Sequence, residues 1–384
     1  GIVPSMIYYG LEILNPTIFL FATCVVCAVV SLATGSSWST IATIGIAMLG
    51  IGGALGLSQG LIGGAIISGA YFGDKMSPLS DTTNLAPAMA GTDLITHIKY
   101  MMYTTIPSII ITLIIFLIIG INIDDGDVGF EQVSVMQNAL SSTYNISLWS
   151  LLIPVLVIAL IIKKVPAIPA LFIGTIAGGL YAVFFQPELI FSLNEYEIGN
   201  SLSYLKNAYM SVMNAMTVDI EVNTGNSSVD SLVSTGGMSG MLNTIWLIVC
   251  AMSFGGIMEV TGFLSTITSS LLYFVKSRKS LVLTTSGTCM FLNVTASDQY
   301  LAIVVPGRMF ADSYEKYGLH PKNLSRTLED TATVTSPLVP WNTCGATHAG
   351  VLGISTLVYL PYCFFNLISP ITVSYTHLRA HETS

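Results

Sequence analysis

Charge is what this sequence has least of. Only 13 Lys and Arg and 21 Asp and Glu occur in 384 residues, 9% of the chain, against 52% hydrophobic residues. A soluble domain carries about 25% charged residues. The chain therefore cannot cover itself with a water-facing surface. That excludes a soluble enzyme, a nucleic-acid binder and a disordered chain, and leaves a polytopic protein with the lipid bilayer as its solvent. The net charge of −8 is too diffuse to suggest a polyanion partner. Cysteine is also scarce. The six residues, at 24, 27, 250, 289, 344 and 363, all sit in or beside apolar runs, which predicts packing rather than a disulfide framework. Cys24-Val-Val-Cys27 has redox or metal spacing, but it lies in an apolar helix with no His nearby and is expected to be filler. Hydrolase motifs are missing as well: there is no His-Glu-x-x-His and no Gly-x-Ser-x-Gly. Phe72-Gly73-Asp74 partly resembles a membrane aspartyl motif, but Tyr71 stands where a Gly is expected. An enzyme is not expected, an intramembrane hydrolase being the remote alternative, and no cofactor is implied.

The ends of the sequence are set aside. The chain begins at Gly1 rather than Met. The stretch 373–384 is polar, lacks a helical period and reads letter for letter like one frame of a sequencing-adapter end. It is expected to be non-native, so His377, Arg379, His381 and Glu382 carry no functional weight. The native chain is expected to be truncated at both ends.

What the sequence has in abundance is apolar runs. They recur at 16–33, 38–57, 61–72, 101–121, 148–162, 167–185, 241–274, 281–292, 300–310 and 356–371. A spanning helix needs roughly 20 apolar residues. Several runs are shorter and end in Gly- and Pro-rich polar stretches, the pattern of broken helices and re-entrant hairpins in transporters. The fold class is therefore all-α, a polytopic membrane protein with inverted-topology repeats, re-entrant hairpins and discontinuous helices. By the positive-inside rule, 97–99, 163–164, 276–279 and 308–326 are cytoplasmic. The acidic loop 122–146, with Asp124, Asp125, Asp127 and Glu131, is outside, as is 187–240, which includes Glu195 and Glu197.

An internal repeat emerges. Residues 1–121 hold a hairpin with its tip near 34–37, a broken helix at 73–87 and a span at 101–121. Residues 122–279 are connecting spans with acidic outside loops. Residues 280–372 repeat the first order, with a hairpin tip at 293–298, a broken helix at 327–343 and a last span. Each helix is expected to break at its Ser-Pro-Leu, 77–79 and 336–338. The charge pattern makes the copies inverted, and paired broken helices place a substrate site at the midplane.

Ionisable groups at membrane depth cost at least about 2.5 kcal/mol each at a helix centre and need a reason. Asp81 is expected in the first unwound stretch as the carboxylate shared by cation and proton. Ser80, Thr82, Thr83 and Asn84 supply hard oxygen ligands suited to Na+. A helix cap is the structural alternative for Asp81. Asp74 is a further candidate, or else a local ion pair with Lys75. The second repeat offers Asn293, Ser297, Asp298, Asp330, Thr333, Ser336 and Asn342, with Glu329 beside Asp330 either in the cavity mouth or at the surface. Ser36 and Ser37 mark the first tip. Glu259 and His348 are proton-relay candidates with packing as the alternative, and Asp298 doubles as a cap candidate. His97 and Lys99 read as interface anchors, Arg308 as a snorkelling residue.

Two stretches, Tyr71-Phe-Gly-Asp-Lys-Met-Ser-Pro-Leu-Ser-Asp-Thr-Thr-Asn-Leu-Ala-Pro87 and Leu328-Glu-Asp-Thr-Ala-Thr-Val-Thr-Ser-Pro-Leu-Val-Pro-Trp-Asn-Thr343, resemble the signature segments of NhaC-type Na+/H+ antiporters in the ion transporter superfamily. Segments 31–38 and 295–300 resemble that family's hairpin tips. The resemblance runs from about Ile7 to Thr372. It implies a multi-pass protein of the prokaryotic cytoplasmic (inner) membrane that exchanges Na+ for H+ by alternating access, with Na+ and H+ as its partners. Na+-malate/H+-lactate exchange is the alternative within the family. It would need an anion site, for which the half-helix ends at Ser36 and Ser297 are candidates. No buried Arg is expected, which weighs against a dicarboxylate. Oligomeric state stays open, with a homodimer among the options.

Overall fold

Proline, glycine and small capping residues divide the chain into helices. The structure, a computed structural model, describes residues 1–13, 15–123, 130–163, 165, 167–192, 201–225, 229–230, 233–234, 236–271, 273 and 275–379. Asp124, Asp125, Asp127, Lys164, Glu195, Glu197, His381 and Glu382 lie outside the described residues. Every long element among the described residues is a helix.

After α1 (Ile2–Ile13), α2 (Pro16–Thr34) starts at Asn15, whose side chain accepts from Thr17 N at 2.9 Å, with Pro16 in the first turn. It ends at Gly35, φ 69°, a left-handed stop open to glycine. Ser36 then caps α3 (Ser37–Ala54), which contains a π-turn at Ile41–Gly45. α4 (Gln59–Met76) stops before Pro78, and α5 (Asp81–Ala90) restarts under a Ser80 cap. α6 (Leu94–Ile121) follows, capped by Asp93.

The connecting region holds α7 (Phe130–Thr143), α8 (Leu152–Ile162), α9 (Ala167–Phe185), α10 (Ser201–Thr217), α11 (Leu242–Val260) and α12 (Phe263–Leu271). α13 (Arg278–Thr295) and α14 (Gln299–Lys316) make a hairpin, closed at its base by Arg278 Nε donating to Tyr317 O at 2.7 Å. α15 (Pro321–Leu328) continues through a π-turn at Glu329–Thr333 and a 3₁₀ turn at Ser336–Leu338. α16 (Thr343–Leu352) and α17 (Phe364–Arg379) complete the chain. The backbone of the end segment set aside above is helical through Arg379, continuing α17.

The two breaks differ. Pro78 ends the first as expected, holding Ser77 at ψ 127°. In the second, Ser336-Pro337-Leu338 stays helical and the chain departs at Val339, ψ 117°. Pro337 is tolerated at the start of a turn, whereas Pro340 forces its predecessor into extended backbone.

This is a multi-pass membrane architecture. By length and composition, four helices among the described residues can cross a membrane: Pro16–Thr34, Ser37–Ala54, Leu94–Ile121 and Leu242–Val260. Two sharply bent pairs, Ser134–Thr143 with Leu148–Leu160 (87°) and Thr343–Leu352 with Thr356–Tyr362 (90°), raise that to six. α4 is the most enclosed helix of the first part. Small residues let backbones approach closely in membranes. Gly69 and Gly73 lie flush on α2, where an added Cβ would meet the Cys24 and Ala28 carbonyls, and Ser31 Oγ donates to Ala70 O at 2.6 Å. Cys24 and Cys27 are buried in that seam as filler. One apolar cluster centres on Phe19, Ile66, Tyr71, Phe116 and Phe365, a second on Leu281, Leu292, Phe310 and Leu328. α4 and the start of α5 meet the α15 π-turn between them.

Candidate functional site

Four helix N-termini that follow a tip or a break are capped by their own polar side chains. Ser36 Oγ accepts from Ser39 N (3.2 Å), Ser80 Oγ from Thr83 N (3.5 Å), Asp298 Oδ1 from Leu301 N (3.0 Å) and Asn342 Oδ1 from Cys344 N (3.0 Å). Such caps satisfy backbone N–H groups left without helical partners. They also tie each tip to its neighbouring break. Ser37 Oγ donates to Asp74 Oδ2 at 2.6 Å. On the other side, Thr343 N donates to Ser297 O at 2.9 Å, and Thr343 Oγ1 to Asp298 Oδ2 at 3.4 Å. Asn342 Nδ2 donates to Asn293 O at 3.0 Å, while Asn293 Nδ2 donates to Ala332 O at 2.7 Å and Thr335 Oγ1 at 2.9 Å. Ser336 Oγ reaches Gln299 Oε1 at 3.1 Å. Ser297 has φ 58°, the sole positive φ outside glycine among the described residues. Such strain marks a position fixed by its surroundings.

Three contacts join the two broken helices. Tyr71 OH and His348 Nε2 are 2.8 Å apart. Lys75 Nζ pairs with Asp330 Oδ1, both residues fully buried. Thr82 Oγ1 donates to Glu329 Oε1 at 3.0 Å. Asp330 is fully engaged: Ser369 Oγ donates to Oδ1 at 2.9 Å and Thr104 Oγ1 to Oδ2 at 2.7 Å, while Lys75 also donates to Ser369 Oγ at 3.1 Å. Burying a single charge costs several kcal/mol, and here the two are buried as a pair with the Ser369 and Thr104 hydroxyls around them.

The structure brings together much of what the sequence singled out. Asp74, Ser37, Ser80, Thr82, Thr83, Asp330 and Thr333 are all buried at this junction. Asn293, Ser297, Asp298, Ser336 and Asn342 form the second tip network described above. Ser36 serves as a cap. Thr83 Oγ1 donates to Asp74 O (3.2 Å) or Lys75 O (3.0 Å), and Asn84 Nδ2 to Pro78 O (2.9 Å) and Ser80 O (2.7 Å). These side chains satisfy carbonyls freed by the break. His348 is buried on Tyr71. Glu259 is not brought in: it is exposed at the end of α11.

Several readings are corrected. Asp81 is not in the unwound stretch, which is only 77–80. It is the exposed first residue of α5, where a carboxylate complements the helix dipole, and Ser80 is the cap. Asp74 and Lys75 do not pair with each other, because neighbours on a helix face different ways. His97 is no interface anchor: it is fully buried with Nδ1 2.9 Å from Ser325 Oγ. Arg326 is buried too, 3% exposed, its guanidinium 4.3 Å from the Tyr100 ring centre. The expectation of no buried Arg therefore fails. Its position three residues before Glu329, on the same face as that buried carboxylate, is the signal that was available.

A sequence model of the Na+/H+ antiporter family matches residues 69–378, which covers both broken helices and the junction between them. The chain belongs to the Na+/H+ antiporter family. It is 39% identical over 370 residues (96% of this chain, 76% of the relative) to the Na(+)/H(+) antiporter NhaC of Alkalihalophilus pseudofirmus. It is 36% identical over 369 residues (96% and 75%) to the Malate-2H(+)/Na(+)-lactate antiporter of Bacillus subtilis. It is also 36% identical over 375 residues (97% and 73%) to the arginine/ornithine antiporter ArcD of Halobacterium salinarum. This antiporter-family chain thus has relatives named for inorganic and for organic cargo. Among its described residues no three His, Cys, Asp or Glu side chains group as a metal-ion site. The donors at the junction are carboxylate and hydroxyl oxygens, which suit a hard cation.

Proposed function

We propose that this protein is a secondary transporter that exchanges Na+ for H+ across the prokaryotic cytoplasmic membrane by alternating access, without covalent chemistry. The observation that carries the reading is the charge balance at the junction. Asp74, Glu329 and Asp330 are buried with Lys75 and Arg326. Three acids and two bases, all ionised, leave a formal charge of −1. One monovalent cation, Na+ or H+, neutralises it. Leaving that charge uncompensated at membrane depth costs several kcal/mol, so the site changes sides only when loaded with one ion or the other. The name of the Alkalihalophilus pseudofirmus relative, a Na(+)/H(+) antiporter, supports the same reading.

The test is pH-gradient dissipation in proteoliposomes, titrated with Na+, K+ and Li+. Dissipation that depends on Na+ is expected; none with any alkali cation would sink the reading. One observation favours a second reading. Arg326 is buried beside the junction, and a guanidinium is the group that suits a carboxylate, which fits cation-coupled exchange of an organic acid. A malate requirement for dissipation, lost in Arg326→Lys, would promote it over the first.

A further inference from the structure

Deepening the exchange reading just given, and resting on it, the geometry points to Glu329 Oε2 and Thr333 Oγ1 as the seat at which Na+ and H+ compete. The carboxylates can be sorted by what already holds them. Asp330 has both oxygens engaged by Lys75, Ser369 and Thr104. Asp74 Oδ2 is held by Ser37, and both oxygens of Asp298 are held by Leu301 N and Thr343. Asp81 and Glu259 are exposed. Glu329 is fully buried, its Oε1 accepts from Thr82, and its Oε2 has no hydrogen-bond partner within the protein. Among the described residues, no other carboxylate has a buried oxygen in that condition.

Thr333 supplies the second, independent observation. The hydroxyls of Thr327, Thr331 and Thr335 each donate to the carbonyl four residues earlier. Thr333 does not. It is fully buried, its hydroxyl is turned to Glu329, and its Oγ1 is held by no other group. Thr333 is the last residue of the π-turn at Glu329–Thr333. A buried carboxylate oxygen and a buried hydroxyl oxygen, held by no third group, form a pair whose negative charge a proton or a small hard cation completes. The charged groups around the pair are Lys75, bound to Asp330, Asp74 across the break, and Arg326 one turn before Glu329.

The test compares wild type with Glu329→Gln, Thr333→Val and Asp81→Asn. Two readouts are used: the Na+ KM for pH-gradient dissipation in proteoliposomes, and the Na+-dependent rise in melting temperature of the detergent-purified protein. Glu329→Gln is expected to abolish both responses. Thr333→Val is expected to raise the Na+ KM roughly tenfold, the scale of one lost contact to a charged group, with kcat little changed. If Glu329→Gln fails to fold, Thr333→Val decides. A wild-type Na+ KM in Thr333→Val, or Asp81→Asn losing the Na+ response while Glu329→Gln keeps it, overturns the seat. If wild type shows a Na+ melting shift but no Na+-driven exchange, the exchange reading fails, and the melting shifts of the variants still judge the seat.

Discussion

Lys75 and Asp330, 255 positions apart in sequence, form a fully buried ion pair between the first and second broken helices. The pair joins the two broken helices where the backbone is interrupted. Removing one partner strands a buried charge, so Lys75→Met should lower stability by about 3–5 kcal/mol. Combining it with Asp330→Leu should restore much of the loss. Thermal unfolding of the four proteins in one detergent gives the double-mutant cycle, and additive losses would show that the pair is not coupled.

The seam between α2 and α4 makes a second prediction. A methyl group at Gly73 would press on the Ala28 carbonyl and the Leu32 N–H, which are backbone and cannot rotate away. Gly73→Ala should destabilise by about 1–3 kcal/mol, the usual range for overpacking. Gly256→Ala, which meets nothing within 4 Å, should be neutral or slightly stabilising. Parallel melting curves decide it.

Tyr71 and His348 form the second cross-connection. Tyr71→Phe keeps the ring contact with His348 and removes only the hydrogen bond. It should cost about 1 kcal/mol, rising toward 3 if the imidazole nitrogen stays dry. His348→Gln should show coupling with Tyr71→Phe, and strictly additive melting shifts would argue against it.

Ser297 is held at φ 58° at the second tip. Ser297→Gly relieves that strain and should be tolerated, whereas the β-branched Ser297→Val should cost about 1–3 kcal/mol. Equal melting temperatures for the two variants would mean the tip relaxes freely.

The sequence by itself determined the class and the punctuation. So few charges in so long a chain leave a membrane as the only solvent. Pro78 dictates the first break because a ring without an N–H cannot continue a helix and pushes its predecessor into extended backbone, whereas the second break, expected at 336–338, falls at Val339 before Pro340. The candidate polar residues at tips and breaks were legible for the same local reason. What only the tertiary structure decided was which charges meet. Asp81 was the most visible carboxylate, yet the fold exposes it and buries Glu329 instead. Lys75 turned from its neighbour Asp74 to a partner 255 positions away, and Arg326 and His97 moved from the expected surface to the interior. Those outcomes depend on helix rotation and on how helices distant in sequence pack, and neither is written in local pattern.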